Sequence, residues 1–307
     1  MQKQDRFFTI GQSIPRVDTQ DKAFGRVKYT NDLTLPGILH AKLHTSTHAH
    51  ARIVSIDTTD AEQIEGVHRI LTGVDCTTLV GPMLADRPIL AQDKVRYHGE
   101  PIAMVIADTE QAAQYAAGLI QVEYEPLAVV NTPTEAFEAD APLVHEHLGT
   151  YKVMVKGLQA KPKTNIANHT KIRKGNFEEA WQAADTTIEK RFSFSPSDHA
   201  ALETRVARVE ILPDGRVLVY TSTQGPFYVR KLMSQFLGID MGKISVHTTV
   251  IGGAFGGKGT VQLEFLAYLA SRAVGGRTVK IANTREEDMI TSPVHIGLTA
   301  HVKLAAN

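Results

Sequence analysis

The segment TTVIGGAFGGKGT, from Thr248 to Thr260, places four glycines within six residues on both sides of Phe255. It lies between a β-branched run that predicts a strand at 244–251 and an apolar run that predicts a helix at 260–274. Unpaired backbone N–H groups before such a helix favour a negatively charged or polar ligand. Glycines let the backbone approach that ligand closely and adopt positive φ. The segment therefore predicts a strand–loop–helix unit built around something bound.

Three interpretations of this loop compete. A tight turn without a ligand needs one or two glycines rather than four. A nucleotide P-loop agrees from Gly252 through Gly257 and Lys258, but Gly259 stands where a Ser or Thr hydroxyl would hold magnesium. The third interpretation is a loop that holds an organic cofactor of another kind. Motifs elsewhere in the chain favour this third interpretation.

Length and composition limit what the chain can be. With 307 residues it exceeds the size at which one core usually stops growing, which predicts two domains. Its 33 basic residues balance 33 acidic ones, which argues against nucleic acid as a partner. No apolar run reaches the roughly 20 residues of a membrane helix, so we expect a cytoplasmic protein. The single Cys76 excludes an internal disulfide and an iron–sulfur cluster held by this chain alone.

Hydrophobic periodicity predicts helices and strands in both halves, an α+β fold. The first half contains predicted helices at 61–64 and 110–119 and predicted strands at 38–44, 51–57, 67–71, 101–107 and 120–124. The second half contains predicted helices at 177–184, 228–237 and 260–274 and predicted strands at 186–194, 205–212, 216–220, 244–251 and 278–282. Periodicity fades over the connector, residues 132–174, so we expect a domain boundary near residue 150 and domains at 1–150 and 151–307.

Ordered motifs carry a resemblance that spans nearly the whole chain. The stretch from Thr221 to Pro226 (TSTQGP), followed by a helix, a strand and GGAFGGK at 252–258, resembles the molybdenum-cofactor-binding chain of the molybdenum hydroxylases, the xanthine dehydrogenase and aldehyde oxidoreductase family. The motifs AHARI at 49–53, VRYHGEP at 95–101 and VEYEP at 122–126 resemble that family's α/β hammerhead domain. The resemblance implies a hammerhead domain at 1–150 and the N-terminal part of a molybdopterin-binding domain at 151–307.

The resemblance also implies which residues meet the cofactor. Gln224 resembles the family glutamine beside the molybdenum, whose amide hydrogen-bonds without ionising, and it is the single catalytic candidate. The cofactor-binding candidates are Gln224 itself and the loop residues Gly252, Gly253, Ala254, Phe255, Gly256 and Gly257. The molybdenum is held through the pterin, so no side chain of this chain is implied as a metal ligand.

Activity and partners follow from the same resemblance. Such enzymes oxidise a purine, an N-heterocycle or an aldehyde with water as the oxygen source. Their electrons pass to [2Fe–2S] clusters and FAD, which we expect on partner subunits. Purine-oxidising members carry a substrate-binding glutamate where this chain has Gly259, which counts against xanthine.

The family's general base and the rest of its molybdenum subunit lie beyond the matching segment. We therefore expect the remaining part of that subunit as a further partner, a truncated or split chain, and no turnover by this chain alone. The alternative is a non-catalytic binding or maturation protein of the same fold.

Other polar residues receive structural interpretations. His199 and Glu203 form a His-x-x-x-Glu pattern that resembles a family feature and is predicted to be structural or close to the cofactor. The charge run at 285–288 predicts a solvated helix start. Glu264 follows the loop by more than a helical turn and receives no role in substrate binding.

Four histidines within eleven positions are a possible metal cluster: His40, His44, His48 and His50. The spacing of His40 and His44 on a predicted strand shows only that they share a face. We favour a structural role for all four.

Overall fold

The computed structural model describes residues 9–292 and 295–307. Within these ranges the helices are α1 (Thr19–Ala23), α2 (Thr59–Glu62), α3 (Glu110–Leu119), α4 (Pro133–Ala136), α5 (Phe177–Ala183), α6 (Pro226–Leu237), α7 (Leu263–Ala273) and α8 (Arg285–Thr291). Short 3-10 helices span Thr30–Asp32, Gly73–Asp75 and Met241–Lys243. Among the described residues, no helix combines the length and apolar character that crossing a bilayer requires.

The strands of the described ranges are mostly short. They are β1 (Leu39–Thr45), β2 (Ala51–Asp57), β3 (Val67–Thr72), β4 (Leu79–Val80), β5 (Leu84–Ala85), β6 (Arg87–Pro88), β7 (Lys94–Val95), β8 (Pro101–Ala107), β9 (Gln121–Pro126), β10 (Lys152–Val153), β11 (Thr186–Phe194), β12 (Val206–Ile211), β13 (Val217–Thr221), β14 (Ile244–His247), β15 (Val279–Ala282) and β16 (Leu298–Ala306). With the helices they confirm the α+β fold class.

A seven-stranded sheet joins the two halves of the chain, in the order β14-β13-β12-β15-β1-β8-β3. Strand β1 pairs in parallel with β15, in a register that runs from Leu39 opposite Val279 to Ala41 opposite Ile281. Strands β13 and β14 are also parallel, and the remaining neighbours are antiparallel. The domain boundary near residue 150 stays a prediction, but strands from both sides of it share one sheet.

The main hydrophobic core lies between this sheet and helices α6 and α7. Residues Leu263, Leu266, Ala267 and Ala270 recur at helical spacing along α7 and are all buried in it. Complete burial of a leucine side chain stabilises a fold by about 1.5–3 kcal/mol. Helix α7 therefore anchors the C-terminal end of the glycine-rich segment that precedes it.

A smaller core holds the first half together. Strand β8 is buried along its whole length, and helix α3 packs on it through Ala113, Ala116 and Ala117. The hydroxyl of Thr109 accepts a hydrogen bond from the Ala112 N–H at 3.1 Å and so caps α3. Burial on both faces explains why the sequence of β8 is continuously apolar. A three-stranded sheet, β7-β2-β9, completes this half.

Strands β11 and β16 form a separate two-stranded sheet, which we call the ribbon. Its nine pairs run from Thr186 opposite Ala306 to Phe194 opposite Leu298. All nine residues of β11 are exposed, and α5, which precedes it, has no buried residue. The ribbon is thus held by its backbone ladder far more than by a core.

The structure shortens two of the predicted elements around the glycine-rich segment. The strand predicted at 244–251 ends at His247, because the chain turns away and the Thr249 hydroxyl meets that of Thr30 at 2.9 Å. The helix predicted at 260–274 begins at Leu263, because the Glu264 carboxylate accepts the N–H of Gln262 at 2.9 Å. Both changes lengthen the irregular segment between strand and helix.

Candidate functional site

The structure places Gln224 next to the glycine loop, by which we mean residues 252–259. Both segments follow parallel strands, β13 and β14, and so leave the sheet at the same edge. The Gln224 N–H donates to the carbonyl oxygen of Lys258 at 2.9 Å. The Thr223 hydroxyl donates to the same oxygen at 3.2 Å. The Gln224 side chain is exposed at this edge.

The backbone of the glycine loop adopts left-handed conformations at three positions. The φ angles are +99° at Gly253, +51° at Phe255 and +90° at Gly256. Only glycine adopts such angles freely, so Phe255 is held there against its own preference by the surrounding structure. Its ring is 75% exposed. The loop therefore presents an aromatic ring at the surface rather than burying it.

Four successive amides of the glycine loop are available as donors. The N–H groups of residues 253–256 make no hydrogen bond to any other described residue, whereas the Gly257 N–H donates to the Ala254 carbonyl at 2.8 Å. A Cβ on Gly256 would meet nothing within 4 Å. Adjacent backbone donors beside open space bind polar or anionic atoms of a ligand. This donor set fits the polar edge of a pterin cofactor.

A buried ion pair supports the glycine loop from below. The Glu203 Oε2 atom accepts the Lys258 ammonium at 2.7 Å and the Gly252 N–H at 2.9 Å. The side chains of Lys258 and Glu203 are only 2% and 11% exposed. A Cβ at Gly252 would lie 2.6 Å from the Cβ of Glu203, so only glycine fits here. Glu203 is thus part of the loop's support, as the His-x-x-x-Glu pattern predicts.

The same ion pair argues against the P-loop interpretation. A P-loop lysine must reach the phosphates of a nucleotide. The Lys258 ammonium is instead buried against Glu203, on the inner side of the loop. The glycine loop is therefore built to hold its lysine inward and its amides outward.

An arginine fixes the second half of the loop. Arg205 donates from Nη2 to the Gly257 carbonyl at 2.7 Å, and its Nη1 lies 3.1 Å from the Oδ1 of Asp288. The Asp288 side chain is 2% exposed, so the prediction that the charge run at 285–288 is solvated was wrong for this residue. Its partner precedes it by 83 residues, and no local pattern reveals such a pair.

Two buried polar atoms beneath the loop have no hydrogen-bond partner among the described residues. They are the Nδ1 of His199 and the Oε1 of Glu203. A Cβ on Gly257 would lie 2.6 Å from that same His199 nitrogen. His199 therefore packs directly under the loop, where its ring occupies the space that a larger residue at position 257 would need.

Glu264 is a structural residue. Its Oε1 accepts the Thr221 hydroxyl at 2.7 Å and its Oε2 accepts the Gln262 N–H at 2.9 Å. With 4% exposure it is enclosed at the start of α7. Gly259, in contrast, is exposed and carries no side chain toward a substrate.

Two of the four histidines clustered at 40–50 contact different backbone carbonyls. The His44 Nδ1 lies 2.9 Å from the Ala117 carbonyl oxygen, and the His50 Nδ1 lies 2.6 Å from that of Ala128. No group of three or more metal-ligating side chains comes together within the described ranges. His44 on β1 and His50 just before β2 are thus held by neighbouring backbone.

Comparison with known proteins matches the two halves to two family models. The model described as "aldehyde oxidase and xanthine dehydrogenase, a/b hammerhead domain" matches residues 24–128. The model described as "molybdopterin cofactor-binding domain" matches residues 158–307. The glycine loop and Gln224 both lie in the second match.

Relatives resemble the chain over nearly its whole length. A probable xanthine dehydrogenase subunit of Bacillus subtilis is 35% identical over 277 residues, which are 89% of this chain and 35% of that protein. The nicotinate dehydrogenase large molybdopterin subunit of Eubacterium barkeri is 29% identical over 97% of this chain and 66% of its own length. The quinoline 2-oxidoreductase of Pseudomonas putida 86 superposes with a TM-score of 0.85 and 28% identity, over 97% of this chain and 37% of that one.

The chain thus spans between 35% and 66% of the length of these three proteins. Along the chain, the hammerhead match at 24–128 precedes the cofactor-binding match at 158–307. The chain belongs to the molybdenum hydroxylase family, as part of the subunit that binds the molybdenum cofactor.

Proposed function

We propose that this chain provides one wall of the molybdenum cofactor site of a molybdenum hydroxylase. The observation that carries the proposal is the hydrogen bond from the Gln224 N–H to the Lys258 carbonyl, which sets Gln224 beside the amides of 253–256. The remaining part of the molybdenum subunit would provide the opposite wall.

Each residue of this wall has a distinct task in the proposal. When bound, the molybdenum–molybdopterin cofactor supplies the redox chemistry that hydroxylates a substrate carbon with oxygen from water. The amides of 253–256 hold the polar edge of the cofactor. The Gln224 side-chain amide carries both donors and an acceptor and stays neutral, so it orients polar groups at any pH.

Phe255 gives the site an apolar surface. Its exposed ring offers a face for a flat or apolar substrate, and it excludes water from that side. The Lys258–Glu203 pair keeps the loop from collapsing inward when the site is empty or filled. These tasks involve binding, orientation and exclusion of water, and none of them requires a general base in this chain.

The proposed substrate is an aldehyde, an N-heterocycle or a purine. Because Gly259 offers no carboxylate, an aldehyde or an N-heterocycle fits better than xanthine. The proposed electron acceptors are a [2Fe–2S] subunit and a FAD subunit. Support comes from a matched relative that is itself named as a large subunit, the nicotinate dehydrogenase chain of Eubacterium barkeri.

Analysis of the native complex tests the proposal. We expect molybdenum and pterin to co-purify with the chain, together with iron–sulfur and flavin subunits identified by mass. The isolated chain with an artificial electron acceptor is expected not to turn over. A complex free of molybdenum and pterin would contradict the proposal.

A pair of glutamine variants tests the role of Gln224. Gln224→Ala in the complex is expected to lower kcat by about 10²-fold, as the loss of one preorganised donor does. Gln235→Ala, an exposed glutamine on α6, serves as the control and should leave kcat unchanged. Equal activity of the two variants would remove Gln224 from the site.

A further inference from the structure

Helix α8 lies between the first half of the chain and the glycine loop, and it contacts both. It begins with a capping box, in which the Thr284 hydroxyl accepts the Glu287 N–H and the Glu287 carboxylate accepts the Thr284 N–H at 2.7 Å. Two successive carboxylates of the helix, Glu287 and Asp288, are engaged by different cations, Lys42 from the first half and Arg205 from the second. This arrangement makes α8 a candidate link between the halves.

Lys42 on β1 is the cation on the side of the first half. Its ammonium lies 3.3 Å from the Oε2 of Glu287, 3.0 Å from the Oε1 of Glu110 and 2.8 Å from the Ala282 carbonyl oxygen. The Lys42 side chain is only 3% exposed. Removing one member of a buried pair leaves an uncompensated charge, so this lysine strongly constrains where Glu287 can lie.

Gly99 provides a second, independent contact from the first half. Its φ is +90°, and a Cβ there would lie 2.5 Å from the Ile290 carbonyl oxygen of α8. A backbone carbonyl cannot rotate away as a long side chain can. Gly99 therefore permits a close approach of α8 that no other residue would allow.

Two other groups of α8 hold the C-terminal end of the glycine loop and the chain just after it. The Oδ1 of Asp288 accepts the Arg205 N–H at 3.1 Å, and Arg205 in turn donates to the Gly257 carbonyl at 2.7 Å. The Thr291 carbonyl accepts the side-chain amide of Gln262, just after the loop. Helix α8 thus fixes both the carbonyl of Gly257 and Gln262, which follows the loop.

We propose that α8 sets the position of the glycine loop according to the position of the first half, with Lys42 and Gly99 as positioning residues. Replacement of a buried ion pair by apolar residues often leaves stability unchanged, so the pair is better explained by specification of position. The expected effect of this link on cofactor binding rests on the proposed function. The link between the first half and the glycine loop is independent of that function.

Hydrogen exchange in the full chain tests the link with matched lysine variants. Lys42→Met is expected to raise exchange about tenfold or more at the hydrogen-bonded amides of the glycine loop, which are those of Gly252, Gly257 and Gly259. Lys94→Met is the control, because Lys94 is also buried at 4% and pairs with one carboxylate, Glu146, at 2.6 Å, but it does not touch α8. Lys42→Arg, which keeps the charge, should restore most of the protection.

A double variant separates transmission through α8 from general loosening. Glu287→Gln alone should raise exchange in the glycine loop as Lys42→Met does, and the two together should not add, because they break one connection. Additive effects, or equal exchange of the loop in Lys42→Met and Lys94→Met, would overturn the proposal.

Gly99→Ala gives a test that changes no charge. We expect raised exchange in both α8 and the glycine loop, with exchange of the ribbon unchanged. In the complex, pterin content per chain should fall with Gly99→Ala and with Lys42→Met. A wild-type complex without pterin would contradict the proposed function, and the exchange results would still test the link through α8. Unchanged loop exchange in Gly99→Ala would contradict the link and leave the proposed function untouched.

Discussion

The glycine loop and the ribbon of β11 and β16 are both exposed features of the second half, but they are held in opposite ways. The ribbon has nine paired residues on each strand and exposed side chains throughout β11. The loop has little regular structure and depends on two other segments, residues 203–205 with the side chains of Glu203 and Arg205, and helix α8. A regular ladder needs only its own backbone, whereas an irregular segment needs supports that are distant in the sequence.

This difference predicts unequal sensitivity to substitution. Changes at the supports of the loop should lower the free energy of unfolding substantially, and similar changes in the ribbon should not. The following variants test the comparison, beginning with the largest expected effect.

Lys258→Met is expected to have the largest effect on stability. It leaves the buried Glu203 carboxylate without its cation, which typically costs about 3–5 kcal/mol. The matched change in the ribbon is Lys303→Met. The Lys303 ammonium lies 3.3 Å from the half-exposed Glu189, and loss of such a solvent-screened pair should have a far smaller effect. Urea unfolding of both variants measures the difference. Equal losses would show that the loop and the ribbon are held alike.

Gly257→Ala is expected to have the next largest effect. The new Cβ would lie 2.6 Å from the His199 Nδ1, and overpacking of this kind costs about 1–3 kcal/mol. Gly118→Ala is the control, because Gly118 lies within α3 and a Cβ there meets nothing within 4 Å. That control should gain about 0.5–1 kcal/mol from helix propensity. A Gly257→Ala protein with an unchanged melting temperature would show that His199 is free to move.

The connector adds a case between these extremes, because His145 in it is a partly buried titratable side chain. Burial, with the charges of Arg96 and Lys94, lowers the pKa of His145 from 6.5 to about 4. The folded state therefore binds fewer protons than the unfolded state in this range, so stability is complete above pH 6.5 and is lost as the pH falls toward 4.

A histidine variant measures this pH dependence. His145→Gln should flatten the slope of unfolding free energy against pH between 6.5 and 4. Gln235→Ala, an exposed change on α6 that removes no titratable group, is the control and should leave that slope as in the wild type. An unchanged slope in His145→Gln would place His145 outside the buried part of the connector.

A substitution of an exposed residue in the ribbon should have the smallest effect. Phe192→Ser replaces a ring that is 45% exposed, and a surface change of this kind usually stays within about 0.5 kcal/mol. Calorimetry of the isolated chain measures it. A loss above about 2 kcal/mol would show that the ribbon packs against something in solution and would end its contrast with the glycine loop.

The same contrast explains which features the sequence predicts. The strands at 101–107 and 186–194 and the helix at 110–119 are confirmed to the residue, because each depends on a local apolar pattern or a local cap. The pairing of β1 with β15 has no local signal, and neither does the sheet that it completes. Long-range pairing is decided by packing, which a single sequence does not display.

In the site, too, features with a local sequence signal were predicted and long-range pairs were not. Proximity of Gln224 to the glycine loop follows from ordered motifs, because both lie just after predicted strands. The buried pairs of Glu203 with Lys258 and Arg205 with Asp288 were missed, since composition alone cannot pair charges.

The central position of β1 beside β15 also bears on how the chain reaches its native state. These neighbours are separated by about 240 residues in the sequence, so their contact closes a very long loop and belongs to the slow class of folding events. Until β15 is available, β1 has one unpaired edge beside an apolar surface, which is a template for aggregation. During synthesis the first half therefore waits with an open edge, and chaperones that cover such edges should raise the yield of folded chain.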